Sequence, residues 1–458
     1  MNSTDYEKLY TDWSRESGAL IERAKKVMPG GDTRASAHYL PYPLVMTHGD
    51  GPRIFDVEGR PFLDFMNNFT SLIHGHAFGP VVDAITAQAG KGTALAAPTL
   101  SQIELAELLV SRVPSLETLR FTSSGTEATL MCLRCARAVT GHQKILKMEG
   151  GYHGSYELAE VSLVPLPGQA GQVDRPVSLP VDASFPNSVL DDTVVAPLNN
   201  PDVAMRLIEA NAEDLAAVIV EPMLGSMGMI KATREYLAAL RELTAKHGIV
   251  LIFDEVITLR AAEGGMQSLL GVTPDLTSMG KIIGGGLPAG AFGGRRDLMD
   301  VFNPAQARPV MHASTFSGNP MTMAAGLAAM TAFGEAEAER INALGDRFRS
   351  GIDQTFRDKG IRGGATGSAS LSNILFTDQK PSDARGSLGA MMDGGDISRL
   401  FHLGLLRHGV FAAGRLMFAI STPMAAQDID TAITAVGDTL EELKPVIEQE
   451  RPDLLAAA

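Results

Sequence analysis

The chain has 458 residues, 45% hydrophobic and 20% charged, with a formal net charge of −14 and a pI near 5.2. Such a composition supports a core larger than one domain and excludes a mostly disordered or fibrous chain. The acidic balance, without any block of Lys/Arg, disfavours a nucleic-acid surface, and two cysteines exclude a disulfide framework. The opening "MNSTDYEKLYTDWSRES" is too polar for a signal peptide and no apolar run approaches a membrane span, so a cytoplasmic protein without a membrane partner is expected.

In chain order, residues 1–60 are expected to pack as a separate N-terminal segment against a small domain, 61–320 to form a large domain, and 321–458 to form that small C-terminal α/β domain. "ELAELLVSRV" has helical spacing and is followed by the strand candidate "TLRFTSS". "EATLMCLRCARAV" is helical, and its "CLRC", which has the spacing of a metal or redox pair, has no second pair to complete a ligand set. Ordinary helix packing and no metal site are expected there. "KILKME", "AAVIVEP", "IVLIFDEV" and "DLTSMG" read as strands, with the helix "REYLAALRELTAKHG" between them. This βα alternation predicts an α/β fold whose mainly parallel sheet is covered by helices on both faces. Residues 160–200, rich in Pro, Gly and Ser, read as a long loop, either a lid or a surface excursion. Beyond 320 the pattern becomes a long helical stretch, two short apolar runs, "LSNILF" and "RLMFAIS", and a last helix from near Asp428.

Three segments carry chemistry. "LIFDEVITLR" ends an apolar strand on Asp254 and Glu255, and ligands of parallel sheets gather beyond such strand ends. A carboxylate there needs a cationic or hydrogen-bonding partner. "FTSSGTEATL" runs a strand through Ser123, Ser124, Gly125 and Thr126 into a helix, which suits a phosphate and suits a plain helix cap equally. "DLTSMGKIIGGGLPAGAFGG" holds one lysine, Lys281, between an apolar strand and a triple glycine, a setting for a Schiff-base amine. A phosphate cradle, an amine and a strand-end aspartate together are what pyridoxal 5'-phosphate (PLP) requires. Glu255, on the opposite side of an extended strand, is expected to serve structure.

The ordered set "SSGTEA", "GGYHG", "VEPM", "FDEV", "GKIIGGGLPAGAFGG" and "STFSGNPMTMAAG" resembles the class III aminotransferases of PLP fold type I, in their glutamate-1-semialdehyde aminomutase-like branch. The likeness runs from "VMPGGDTR" to "STPMAAQDIDTAI". It implies Lys281 as the residue that joins the cofactor and moves the proton, and Asp254 as the partner of the pyridine nitrogen. It also implies that Val256 and Tyr152 cover the ring, that Ser124, Gly125 and Thr126 form the phosphate cup, and that Glu221 gives buried support. Thr315 matches a threonine that reaches the neighbouring subunit's phosphate, which implies a homodimer with shared active sites.

Substrate-facing positions narrow the reading. The aminomutases carry an arginine further from "PGG" than Arg34, and a "FEAxF"-like segment where this chain has "GVFAAGRLMFAIST" with Arg415. The early Arg34 and late Arg415 resemble the β-phenylalanine aminotransferases. A transaminase must hold an amino donor and then a 2-oxo acid, and guanidinium groups bind carboxylates in bidentate fashion. Arg34 is therefore expected at the donor carboxylate, Arg415 at that of 2-oxoglutarate or pyruvate, and Phe69 at the donor side chain. The alternatives are glutamate-1-semialdehyde 2,1-aminomutase, and a phosphate- or nucleotide-binding protein, which the absence of G-x-x-x-x-G-K-[ST] disfavours.

Overall fold

A computed structural model describes residues 2–456. Its central sheet is built from seven short strands: β1 Thr118–Thr122, β2 Lys144–Met148, β3 Thr193–Ala196, β4 Leu215–Val220, β5 Val250–Asp254, β6 Leu276–Gly280 and β7 Gly290–Gly294. Their spatial order is β1-β7-β6-β5-β4-β2-β3, and β7 alone runs antiparallel to its neighbours. Every residue of β4, β5 and β6 is buried, as required of strands covered on both faces.

Helix α1 (Leu100–Arg112) starts at the cap Thr99. Helix α2 (Gly125–Thr140) starts at the cap Ser124, ends at the left-handed Gly141, and lays Ala128, Met131, Cys132, Cys135 and Ala136 in one core with Ile145, Ile219, Ile252 and Phe292. Both cysteines are thus free core residues, as the helical spacing predicts. Helix α3 (Arg234–His247) is capped by Thr233 and stopped by the left-handed Gly248.

Two strands of this sheet escape sequence reading. β3 lies inside the stretch expected to be loop, as the sheet's edge. That stretch is also tied down: Arg385 holds Glu149 through two bonds of 2.9 and 2.7 Å and donates to the carbonyls of Ala170 and Gly171. β7 is "GAFGG", which reads as glycine loop; a Cβ at Gly290 would come within 2.1 Å of Ser124 O and one at Gly294 within 2.1 Å of Asp275 O. Glycine is needed there because the flanking backbones approach so closely.

The chain divides into a larger unit, residues 79–339 and 381–388, and a smaller one, 1–78, 340–380 and 389–458. These limits differ from those expected at 60 and 320. Helix α4 (Pro320–Ala332) belongs to the larger unit, where it packs on Gly79–Ala89, on α1 and on the turn after β6. Gly326 lets it reach that turn, since a Cβ would meet Ile283 O at 2.1 Å. The smaller unit holds an antiparallel hairpin sheet, Met46–Asp50, Arg53–Asp56 and Pro61–Asp64, joined by the parallel Val410–Phe411, and a second antiparallel sheet of Gly364–Ser368, Leu371–Leu375 and Met417–Ala419. Its core includes the ring cluster Phe65, Phe348 and Phe418. No helix among the described residues is long and apolar enough to cross a membrane.

Candidate active site

The carboxyl ends of β1, β2, β4, β5 and β6 carry, in turn, Ser124, Tyr152 and His153, Glu221, Asp254 and Lys281. Chain order scatters these residues over more than 150 positions, and the parallel sheet gathers them along one edge of the larger unit, where ligands of such sheets bind.

Asp254 is buried, and its partners fix it from three sides. His153 Nδ1–H donates to Oδ2 over 2.8 Å, Ser278 Oγ–H to Oδ1 over 3.0 Å, and the Val256 N–H to Oδ1 over 3.1 Å. Burial holds the His153 pKa below its ordinary value, so the ring stays neutral with its proton on Nδ1. Sequence reading quoted "GGYHG" but assigned nothing to His153 or to Ser278; a histidine set between glycines straight after a strand was the available signal.

Glu221 accepts the N–H of Tyr152 at 2.8 Å and of Gly225 at 3.0 Å. Burial, and then the nearby Asp254 charge, push its pKa up to about 8, against the two N–H bonds and Lys281, which act the other way. Glu255 is fully buried and accepts from Thr258 Oγ, the N–H groups of Met266 and Gln267, and Gln267 Nε2, capping the short helix Gly265–Leu270. It serves structure, as its side of the strand predicts. Beneath the "GGYHG" loop, the buried Lys147 donates to the carbonyls of Gly151 at 2.8 Å and Val161 at 2.5 Å, and burial lowers its pKa to about 7.

Lys281 is half-buried and has a φ of 51°, a left-handed conformation uncommon outside glycine. At the start of α2, Ser124 Oγ accepts the Glu127 N–H at 3.2 Å, and Glu127 accepts the Ser123 N–H at 2.5 Å. A Cβ at Gly125 would lie 2.9 Å from both γ-methyls of Val256, so the cup and Val256 are in contact. Thr126 Oγ1 accepts the Ser155 N–H at 3.4 Å. Thr315 is exposed on the loop before α4.

The three residues expected to face substrate, Arg34, Phe69 and Arg415, meet in the smaller unit. The Arg34 and Arg415 guanidinium carbons lie 5.8 and 5.6 Å from the centre of the Phe69 ring, and Arg34 donates to Asn68 Oδ1 at 2.7 Å.

The family model of class-III aminotransferases matches residues 35–366. The chain belongs to that family. This aminotransferase is 36% identical over 431 residues to a protein of Persephonella marina named glutamate-1-semialdehyde 2,1-aminomutase, covering 93% of this chain and 98% of that one. It is similar to an omega-transaminase structure from Sphaerobacter thermophilus, at 44% identity and a TM-score of 0.89 over 93% of this chain and 98% of that chain. A β-phenylalanine aminotransferase from Variovorax paradoxus superposes with a TM-score of 0.85 at 34% identity, over 100% and 99% of the two chains. A transaminase solved with PLP bound is 36% identical over 95% of this chain and 99% of that one, with a TM-score of 0.86. The enzyme is PLP-dependent.

The residues at the sheet edge fit that cofactor. Ser123 Oγ is buried without a hydrogen-bond partner among the described residues, beside the N–H groups that open α2. Asp254, buried and held by His153, Ser278 and the Val256 N–H, would supply an acceptor for a ring N–H.

Proposed function

We propose that this enzyme transfers an amino group from a β-amino acid, with an aromatic one as the best candidate, to a 2-oxo acid such as 2-oxoglutarate or pyruvate. The observation that carries this reading is the pair of guanidinium groups at Phe69, one for each carboxylate of a double-substrate reaction. Arg34 takes the donor carboxylate and Arg415 that of the acceptor. Arg34 and Asn68 also border a cavity of about 340 Å³ that a small acid could enter.

Bound PLP supplies an aldehyde for amines and a ring that withdraws electrons from the carbon losing a proton. Ser124, Gly125 and Thr126 bind its phosphate through hydroxyl and N–H donors. Asp254 holds the proton on the ring nitrogen, kept in place by His153 and Ser278. Tyr152 and Val256 exclude water from the two ring faces, and Glu221 fixes Tyr152 through its N–H. Lys281 Nζ carries the proton between the carbons that lose and gain it.

The enzyme works as a homodimer in this reading, with Thr315 of each copy completing the other's phosphate site. Support comes from the exposed apolar residues Leu100, Ile103, Met311 and Phe316, at 69%, 50%, 68% and 60% exposure, with Ile103 sharing a groove with His312, Ser314 and Ser317.

The second reading, glutamate-1-semialdehyde 2,1-aminomutase, is favoured by the name of the Persephonella relative. A mutase forms product without any added 2-oxo acid. The deciding experiment adds an aromatic β-amino acid alone to the holoenzyme and follows the visible absorbance. Conversion to the amine form of the cofactor, reversed by 2-oxoglutarate or pyruvate, supports the transaminase. An unchanged spectrum, together with turnover of glutamate-1-semialdehyde, overturns it.

A further inference from the structure

Asn67, Asn68, Phe69 and Thr70 have φ values of 47°, 46°, 55° and 73°. Left-handed residues without glycine ordinarily occur singly, because the Cβ crowds the following carbonyl. Four in a row form a complete left-handed turn, which persists only where the surroundings over-determine it.

Those surroundings are visible. Buried Asp64 Oδ1 accepts the N–H groups of Met66 at 2.9 Å and Asn67 at 2.8 Å, and His76 Nε2 lies 2.7 Å from Asp64 Oδ2. Asn67 Nδ2 donates to Ala419 O at 2.7 Å, the Thr70 N–H to Met66 O at 3.0 Å, and the Leu72 N–H to Asn67 O at 3.1 Å. The product of this strain is one aromatic ring within 6 Å of two guanidinium groups from distant parts of the chain, with Asn68 binding one of them.

We propose that the left-handed turn is a positioning device: it fixes Phe69 as a common shelf for Arg34 and Arg415, so that one ring sets the geometry of both carboxylate sites. The ring's negative face attracts each cation and adds a shared restraint to the bonds that Arg34 makes to Asn68 and Arg415 to Met417 Sδ. The proposal rests on the assignment of the two arginines to donor and acceptor.

The test is steady-state kinetics of the holoenzyme with both substrates varied. Phe69→Leu removes the π face and is expected to raise the donor KM and the acceptor KM together, by roughly 2- to 5-fold each, with kcat within about 2-fold; Phe69→Trp, which keeps a face, restores both. Asn68→Gly relieves the backbone and removes the Arg34 partner, so it raises the donor KM alone. Melting temperatures establish that each variant is folded, and Phe69→Trp with Asn68→Gly carries the test if Phe69→Leu is not. Arg34→Ala and Arg415→Ala run alongside. If each arginine variant moves its own KM while Phe69→Leu moves neither or only one, the shelf is overturned and the carboxylate assignment stands. If the arginine variants move neither KM, both fall.

Discussion

His153 stands behind Asp254, its Nδ1 2.8 Å from Asp254 Oδ2, with both side chains nearly closed to solvent. The histidine orients the carboxylate without neutralising it, because burial keeps the ring uncharged. Losing a hydrogen bond to a charged group corresponds to about 10- to 100-fold. His153→Leu should therefore lower kcat by that amount, with Lys281 still binding the cofactor. Asp254→Asn should cost about 10²–10³-fold. Wild-type turnover in His153→Leu would remove the orienting role.

Lys281 combines a chemical demand with a conformational one. Lys281→Ala and Lys281→Gly should both lose the visible band of lysine-bound cofactor and all turnover. The φ of 51° separates them: glycine relieves a left-handed conformation that alanine keeps, so the glycine variant should be the more stable by about 1 kcal/mol in chemical denaturation. Coincident denaturation midpoints would count against strain at this position.

Gly125 and Val256 test the cup. Gly125→Ala would place a methyl 2.9 Å from two stiff γ-methyls of a β-branched side chain and should weaken PLP binding. Val256→Ala removes those methyls, so the double variant should recover part of the loss, with a coupling of about 0.5–3 kcal/mol. Additive losses, measured by cofactor titration, would show that the contact does not control the site.

Glu221 sets a pH dependence. Its folded pKa, raised to about 8, lies above the ordinary carboxylate value of 4.5, so the folded state holds the proton more tightly than the unfolded chain. The stability this contributes is present below the unfolded pKa and is lost as pH rises through 8. Glu221→Gln should destabilise by about 1–3 kcal/mol at pH 6, since an amide cannot accept both the Tyr152 and Gly225 N–H groups. That deficit should shrink by pH 9. Denaturation at the two pH values measures it, and a deficit that is constant or grows speaks against the raised pKa.

Much of the sheet edge was readable because its residues sit in local patterns: "VLIFD" is a continuous apolar run of strand length, and Lys281 is a lone charge between an apolar strand and glycines. What escaped depends on distant partners. "GAFGG" forms a strand only because two backbones close on it, and "TVVA" is an edge strand among residues with loop composition. The Asn67–Thr70 turn is legible to the extent that asparagine tolerates the left-handed region, but the turn that carries Phe69 and Thr70 is anchored through Met66 and Asn67 by Asp64 and Ala419, and no local pattern encodes that. Arg34, Phe69 and Arg415 could be suspected singly; their convergence on one ring could not.

The two cysteines of the chain are both enclosed, and burial pushes the Cys135 thiol up to about 12 and Cys132 upward as well. The native protein therefore offers nothing for a thiol reagent to label until its core opens. A cysteine introduced at exposed Ser350, which has no part in the proposed site, would be the sole fast-reacting sulfur, ready for a fluorophore or a cross-linker, while the native pair would keep a separate, slow clock of global unfolding.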